Sequence, residues 1–98
     1  MIPKIIHQTW KTNNIPDEWV YHVNSWKWNH PTWEYKLWTD KTALEFVAEN
    51  YPQYLAKYCG FPYNIQRADF IRYLVVYHFG GIYADIDYEC LRPFDDLV

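Results

Sequence analysis

The chain has 98 residues, of which 21% are aromatic, and a net charge of −3 at pH 7. This length allows one domain at most, and the six tryptophans supply buried area that a short chain otherwise lacks. The Lys and Arg residues form no basic stripe, which excludes a nucleic-acid binder on electrostatic grounds. Cys59 and Cys90 have no CxxC spacing, so we expect buried free thiols and neither a zinc site nor a disulfide framework.

The sequence offers no sign of a membrane segment or a secretory leader. Its longest apolar run, around residues 74–76, is far too short to span a bilayer. Met1 is not followed by a basic region and an apolar stretch, which a signal peptide requires. These features predict no transmembrane segment and a cytoplasmic location.

The first predicted element is a strand over residues 2–8, which is rich in β-branched side chains. It leads directly to Trp10, so the indole should lie at the carboxyl end of this strand. Ligands gather at that edge in open α/β sheets. Trp10 is therefore either a core residue or a stacking surface for a flat ring, and the sequence alone leaves both open.

A helix is predicted from Pro16 to His30. Pro16 suits a first helical position, and the two acids that follow it favour the positive end of the helix dipole. We expect His22 and His30 to be solvated, because neither has a partner at metal-ligand spacing. The helical periodicity predicts one buried stripe: Trp19, Val20, Val23 and Trp26.

Residues 32–38 alternate aromatic or aliphatic with charged side chains, which predicts a half-buried strand. Thr39 should cap the next helix, with Thr42 and Glu45 in a capping box. A shorter helix is predicted over residues 53–58. The inward-facing residues predicted for the capped helix are Leu44, Val47 and Ala48.

The last helix should begin at an Asn64 cap and end at Gly80-Gly81 in a left-handed conformation. Asp69 and Arg72 share one face of it, and their spacing by itself indicates an ordinary surface ion pair. The core stripe predicted for this helix is Ile65, Ala68, Ile71, Leu74, Val75 and Phe79.

A final strand is predicted over residues 82–87, with Tyr83, Asp85 and Asp87 on one face. Two carboxylates at the end of a strand suit a hard cation such as Mg²⁺ or Mn²⁺, although a lone DxD motif also fits an exposed acidic turn. Residues 91–98 show no regular pattern. The order of strands and helices predicts a layered α/β sheet.

Two patterns together resemble a known family. The ADxxRY pattern of residues 68–73 is followed six residues later by GGIYxDxD at residues 80–87, and the chain opens with IPKIIHQTW at residues 2–10. Their order resembles the DxD-containing sugar-transferase family. This family includes fungal α-1,6-mannosyltransferases, bacterial capsular polysaccharide transferases and, more remotely, the glucosylating clostridial toxins.

The resemblance implies a GT-A-like (Rossmann-like) nucleotide-sugar-binding sheet with flanking helices, of which this chain is the N-terminal half. It also implies a nucleotide-sugar donor, Mn²⁺ or Mg²⁺, a glycan or polysaccharide acceptor, and retention of the anomeric configuration. Asp85 and Asp87 are then the metal residues, with Asp85 also reaching the ribose and donor sugar. The other residues implied to bind the nucleotide-sugar are His7, Trp10, Asp69, Arg72 and Tyr83.

Such enzymes are usually more than twice as long as this chain, and their acceptor region follows the DxD motif. We therefore interpret residues 1–98 as the donor-binding part of a GT-A glycosyltransferase domain, with a stand-alone small domain as the alternative. The missing leader favours a bacterial or viral type. A competing function is a non-catalytic carbohydrate-binding module that uses exposed Trp28 and Trp33. A phosphohydrolase is a weaker alternative, because few further ligands are available.

Overall fold

The computed structural model describes residues 3–91, apart from the side chain of Asn64. Ile2, in the predicted first strand, and residues 92–98, predicted to be irregular, lie outside the described residues. A short 3₁₀ turn, Pro52–Tyr54, precedes α3. The other elements of the described part, in chain order, are β1 (Ile5–Thr9), α1 (Asp17–Asn29), β2 (Glu34–Trp38), α2 (Asp40–Asn50), α3 (Leu55–Gly60), α4 (Asn64–Phe79) and β3 (Ile82–Tyr83).

The three strands form a parallel sheet in the order β2-β1-β3. β1 pairs with β2 along its whole length, from Ile5 opposite Glu34 to Thr9 opposite Trp38. β1 pairs with β3 only at Ile6 and His7. This arrangement confirms an α/β sheet with flanking helices, and it places the carboxyl ends of all three strands at one edge.

Two buried clusters cover the two faces of the sheet. One cluster joins α2, α3 and α4 and is centred on Val47, Ile71 and Val75. The other contains Ile6 of β1 and Trp26 of α1. Because side chains alternate along a strand, Ile6 faces α1 while its neighbour His7 faces the rings of Trp38 and Phe79.

Gly80 and Gly81 bring the end of α4 against β1. Their φ angles are +76° and +90°, which confirms the predicted left-handed break. A Cβ on Gly80 would lie 2.7 Å from the Pro3 side chain, and one on Gly81 would collide with the carbonyl oxygen of Ile5. Only glycine therefore allows the chain to turn from helix to strand this close to β1.

Helix α2 begins as predicted, but a different set of its residues faces the core. Thr39 caps it, and Thr42 completes the capping box in place of Glu45. Val47 is fully buried, but Leu44 is 42% exposed and Ala48 is also exposed, so the prediction for these two was wrong. The spacing that packs against α4 is the i, i+3, i+4 set formed by Ala43, Phe46 and Val47.

The predicted core stripe of α4 is confirmed in the middle of the helix and wrong at its start. Ile71 and Val75 are buried, whereas Ile65 is 67% exposed. Ile65 belongs to the first helical turn and is not part of the cluster that joins α2, α3 and α4. The residue at the N-cap is Tyr63, and Asn64 is the first helical residue.

Three further predictions about exposure were wrong. His30 is 2% exposed, because its Nδ1 lies 2.9 Å from the carbonyl oxygen of Trp26 and its ring meets Trp33 edge-on. Val20 is 39% exposed, since the buried side of α1 is formed by Val23 and Trp26. Cys59 is exposed, and of the two free cysteines Cys90 alone is buried.

His22, also expected to be solvated, is half-buried. Its ring lies edge-on to that of Tyr21, with centroids 6.3 Å apart.

In the described part of the chain, no helix combines the length and apolar character that crossing a membrane would require.

Candidate functional site

A cavity of about 410 Å³ opens at the carboxyl edge of the sheet. Its walls come from the ends of β1 and β2, the starts of α2 and α4, and the segment after β3. This volume lies within the range of small-molecule sites, about 300–1,000 Å³. The edge is also where ligands bind in open parallel sheets.

Part of the cavity lining is aromatic. Trp10 and Trp19 both line it and meet edge-on with centroids 5.3 Å apart. The backbone N–H of Trp10 donates to the carbonyl oxygen of Trp38 at 3.0 Å, which ties the loop after β1 to the end of β2. The half-buried indole of Trp10 is thus held at the cavity wall, where a flat ring could stack on it.

Another part of the cavity lining is acidic. Asp69, Asp85 and Asp87 all line it, and Asp85 is half-buried while the other two are exposed. Ala84 and Ile86, which alternate with Asp85 and Asp87, are 6% and 5% exposed. Ile86 also lines the cavity, so residues 85–87 together contribute to its wall.

Tyr83, which also lines the cavity, is linked to β1 by its hydroxyl. Its hydroxyl lies 2.8 Å from the Oγ1 of Thr9. Burial raises the pKa of Tyr83 to about 12, and the nearby Asp85 carboxylate adds to the rise, whereas the hydrogen bond with Thr9 and the charge of Arg72 act in the opposite direction. The phenol is therefore neutral at physiological pH and can both donate and accept hydrogen bonds.

Arg72, which the resemblance implies to bind the nucleotide-sugar, is not among the residues that line the cavity. Its guanidinium carbon is 5.5 Å from the ring centre of Tyr83, and its Nη2 is 3.4 Å from the Oδ1 of Asp69. Both members of the pair are partly solvated, so the pair contributes under about 1 kcal/mol to stability. Arg72 thus contacts two residues that do line the cavity, Asp69 and Tyr83.

The structure does not bring the His7 side chain to the cavity. The imidazole is fully buried, accepts from the Trp38 indole N–H at its Nδ1 (3.1 Å) and lies 2.8 Å from the Gly80 carbonyl oxygen at its Nε2. Since an indole only donates and a carbonyl only accepts, Nε2 carries the proton of a neutral ring. Burial lowers the pKa of His7, in agreement with this tautomer.

The donor set fits a divalent cation that takes few protein ligands. Within residues 3–91, no three His, Cys, Asp or Glu side chains gather closely enough to form a metal cage. Asp85 and Asp87 nevertheless share the cavity wall. Mg²⁺ and similar cations are typically held by one or two carboxylates together with substrate phosphates and water.

Sequence reasoning missed two polar residues of β1. Gln8 is fully buried and Thr9 lines the cavity, yet only the flanking His7 and Trp10 were singled out. The available signal was polarity inside a strand that is covered on both faces. Such residues need buried partners, and a central strand of an α/β sheet is otherwise nearly all apolar.

The carbohydrate-binding alternative requires Trp28 and Trp33 to be exposed, and one of these two rings is buried. Trp33 is 7% exposed and belongs to the α1 side of the core, so it is not the exposed ring that this alternative requires. Trp28 is 61% exposed and lies edge-on to Tyr21. Neither ring lines the cavity.

Comparison with protein families gives one match, over residues 16–98, to the family described as "Glycosyltransferase sugar-binding region containing DXD motif". The chain is 54% identical over 97 residues to inositol phosphoceramide mannosyltransferase 3 of Schizosaccharomyces pombe, covering 99% of the chain and 27% of that protein. It is 46% identical to mannosyl phosphorylinositol ceramide synthase SUR1 of Saccharomyces cerevisiae, covering 100% of the chain and 26% of that protein.

A more distant relative is the initiation-specific alpha-1,6-mannosyltransferase of Saccharomyces cerevisiae, 33% identical over 96% of the chain and 21% of that protein. The chain thus spans about a quarter of the length of the curated relatives it matches. No solved structure matches the chain. These matches confirm the predicted resemblance.

Proposed function

Since the chain belongs to the glycosyltransferase family whose sugar-binding region contains a DXD motif, we propose that it is the donor-binding part of a metal-dependent mannosyltransferase. Its donor would be a nucleoside diphosphate mannose. The observation that carries this proposal is one cavity lined by both Trp10 and the three acids Asp69, Asp85 and Asp87. The aromatic ring suits a nucleobase, and the carboxylates suit a cation and sugar hydroxyls.

The cation would be Mn²⁺ or Mg²⁺, held by Asp85 and Asp87. When bound, such an ion offsets the negative charge of the departing diphosphate as a Lewis acid. The residues of the chain then orient the donor: Trp10 stacks on the base, Asp69 accepts from sugar hydroxyls, and the neutral Tyr83 phenol is available to donate. Retention of the anomeric configuration follows from the family resemblance, and we assign no nucleophile.

The acceptor we propose is the phosphoinositol headgroup of a sphingolipid. The two relatives of higher identity are named for mannosylation of inositol phosphoceramide, whereas the 33% relative is named an alpha-1,6-mannosyltransferase. We therefore prefer a lipid headgroup to the polysaccharide acceptor predicted from sequence. The cytoplasmic location and the choice of Mn²⁺ stay predictions.

Transfer can be tested with the full-length protein, GDP-mannose and inositol phosphoceramide in mixed vesicles, with mass detection of the lipid product. The expected result is a lipid heavier by one hexose in the presence of Mn²⁺, and none with EDTA. UDP-glucose in place of GDP-mannose tests the donor, and a mannan oligosaccharide in place of the lipid tests the acceptor.

The matched variants are Asp87→Ala, in the cavity, and Asp17→Ala, an exposed acid at the start of α1. Asp87→Ala should abolish transfer and Asp17→Ala should leave it unchanged. Transfer that continues in EDTA, or that survives Asp87→Ala, would contradict the proposal. Glycan binding without metal and without transfer would favour a binding module.

A further inference from the structure

The segment that carries Asp85 and Asp87, residues 84–90, is held by side chains more than by the sheet. Ladder pairing of β3 ends at Tyr83, and the last strand-like bond runs from the Ala84 N–H to the His7 carbonyl oxygen at 3.0 Å. Beyond it, α1 supplies the partners. The Trp26 indole donates to the Tyr88 carbonyl oxygen at 2.9 Å, and the Cys90 N–H donates to the Ser25 hydroxyl at 2.8 Å.

Between these contacts lies a bond from β1. The side-chain Nε2 of Gln8 donates to the main-chain carbonyl oxygen of Asp85 at 3.2 Å. At its other end, the Gln8 Oε1 accepts from the Tyr35 hydroxyl at 2.7 Å. Gln8 itself is completely buried.

The Tyr35 hydroxyl and the Asp85 carbonyl allow only one orientation of the Gln8 amide. A carbonyl oxygen only accepts, so the amide must turn its NH₂ toward Asp85 and its oxygen toward Tyr35. Burial raises the pKa of Tyr35, so the phenol keeps its proton and remains a donor. Tyr35 thereby orients Gln8, and Gln8 fixes the backbone of Asp85.

The hydrogen bond from Gln8 to Asp85 acts on a residue that lines the cavity. The Asp85 carbonyl oxygen is bonded by Gln8, while the Asp85 residue itself lines the cavity at the carboxyl edge of the sheet. We infer that Gln8 is a positioning residue: its amide, oriented by Tyr35, fixes the Asp85 backbone so that the carboxylates of Asp85 and Asp87 converge on one cation. This inference rests on the proposed function for the identity of the cation.

The test compares the wild type with Gln8→Met in the full-length protein. Methionine has the length of glutamine but neither of its hydrogen-bonding groups. Mn²⁺ binding in the presence of GDP is followed by the electron paramagnetic resonance signal of free Mn²⁺. We expect Gln8→Met to weaken Mn²⁺ binding about 10–100-fold, as is typical when an outer partner of a ligand is removed.

Two further variants separate positioning from general stability. Val47→Ala removes methyl groups from the core on the opposite face and should lower the melting temperature without changing Mn²⁺ affinity. Tyr35→Phe deletes only the hydroxyl that orients Gln8, and should weaken Mn²⁺ binding by less than Gln8→Met does. If Gln8→Met does not fold, Tyr35→Phe decides the question: an unchanged Mn²⁺ affinity overturns the inference.

Amide hydrogen exchange distinguishes failure of the inference from failure of the proposed function. In Gln8→Met, the N–H groups of Ala84, Tyr88 and Cys90 should exchange faster than in the wild type, while those of α2 keep their protection. Unchanged exchange in this segment overturns the positioning role. If the segment loosens as expected but the wild type binds no Mn²⁺ with GDP, the proposed metal-dependent function fails and the positioning of the segment stands.

Discussion

The two edges of β1 are built in different ways. Toward β2, the strand pairs over five residues, from Ile5 to Thr9. Toward β3, it pairs at two residues, and the next stretch is held by side chains such as Gln8 and Trp26. The residues proposed to bind the cation are on the second edge. A chain segment that leaves the sheet ladder can present two nearby carboxylates to a cavity. Buried side chains must then fix the backbone of that segment.

The largest effect is expected where β3 approaches β1. Gly81→Ala would set a methyl group against the Ile5 carbonyl oxygen, at a φ of +90°. We expect a loss of roughly 3 kcal/mol, near the upper end for a strained backbone position, measured by urea denaturation. Both the φ angle and the collision act on the folded state, and neither can relax unless β3 moves.

The control for this change is Gly60→Ala, at the end of α3. A Cβ there meets no atom within 4 Å, so the effect should stay within about 0.5 kcal/mol. Equal losses for the two glycines would show that the close approach of β3 to β1 is not a constraint.

A smaller effect is expected at the α1 contact with residues 84–90. Trp26→Phe keeps an aromatic ring but removes the N–H that donates to the Tyr88 carbonyl oxygen. The expected loss is about 1–2 kcal/mol for that hydrogen bond and its packing, measured by thermal unfolding. Trp28→Phe, on the same helix with a 61% exposed side chain, should change stability little. A Trp26→Phe protein as stable as the Trp28→Phe protein would contradict the side-chain attachment.

The smallest effect on stability is expected for His7, which links β1 to the end of α4, and this effect depends on pH. His7 is neutral in the fold and its pKa is lowered from 6.5 by burial, so the unfolded chain takes up the proton first as the pH falls. The stability contribution of His7 is therefore present in full above pH 6.5, and it is lost as the pH falls from there through the lower pKa of the folded state.

Comparing His7→Gln with the wild type isolates this contribution. A glutamine amide can donate to the Gly80 carbonyl and accept from Trp38 without titrating. The variant should lose less stability than the wild type between pH 7 and pH 5, by urea denaturation at each pH. Identical pH profiles for the two proteins would show that His7 does not titrate in this window.

Much of the fold could be predicted because local signals agreed with the final packing. The Thr39 cap, the Gly80-Gly81 break and the alternation of Tyr83 with Ala84 are short-range features, and the structure contains each of them. The phase of α2 and the exposure of Ile65 depend on which helices pack together, and a single sequence does not contain that information.

The sequence likewise predicted some residues of the site and missed others. The DxD motif and its flanking patterns indicated Asp69, Asp85 and Asp87, and the cavity brings these residues together with Trp10. The supporting residues Gln8 and Thr9 were missed, because their partners Asp85 and Tyr83 lie more than 70 residues away in sequence. The strand over residues 82–87 was predicted too long for a related reason. Ladder pairing ends at Tyr83, and the chain beyond it is held by the Gln8 side chain at Asp85 and by α1 side chains at Tyr88 and Cys90.

The most direct measurement is a calorimetric titration of GDP-mannose into the full-length protein, with Mn²⁺ and with EDTA. It compares the wild type with the double variant Asp85→Asn/Asp87→Asn. We predict that removing the metal and replacing the carboxylates each weaken donor binding more than tenfold, and that EDTA has no further effect on the double variant, because both changes remove the same bridge. Equal donor affinity with and without Mn²⁺, or a double variant that binds like the wild type, would contradict a cation held between these carboxylates and the donor diphosphate.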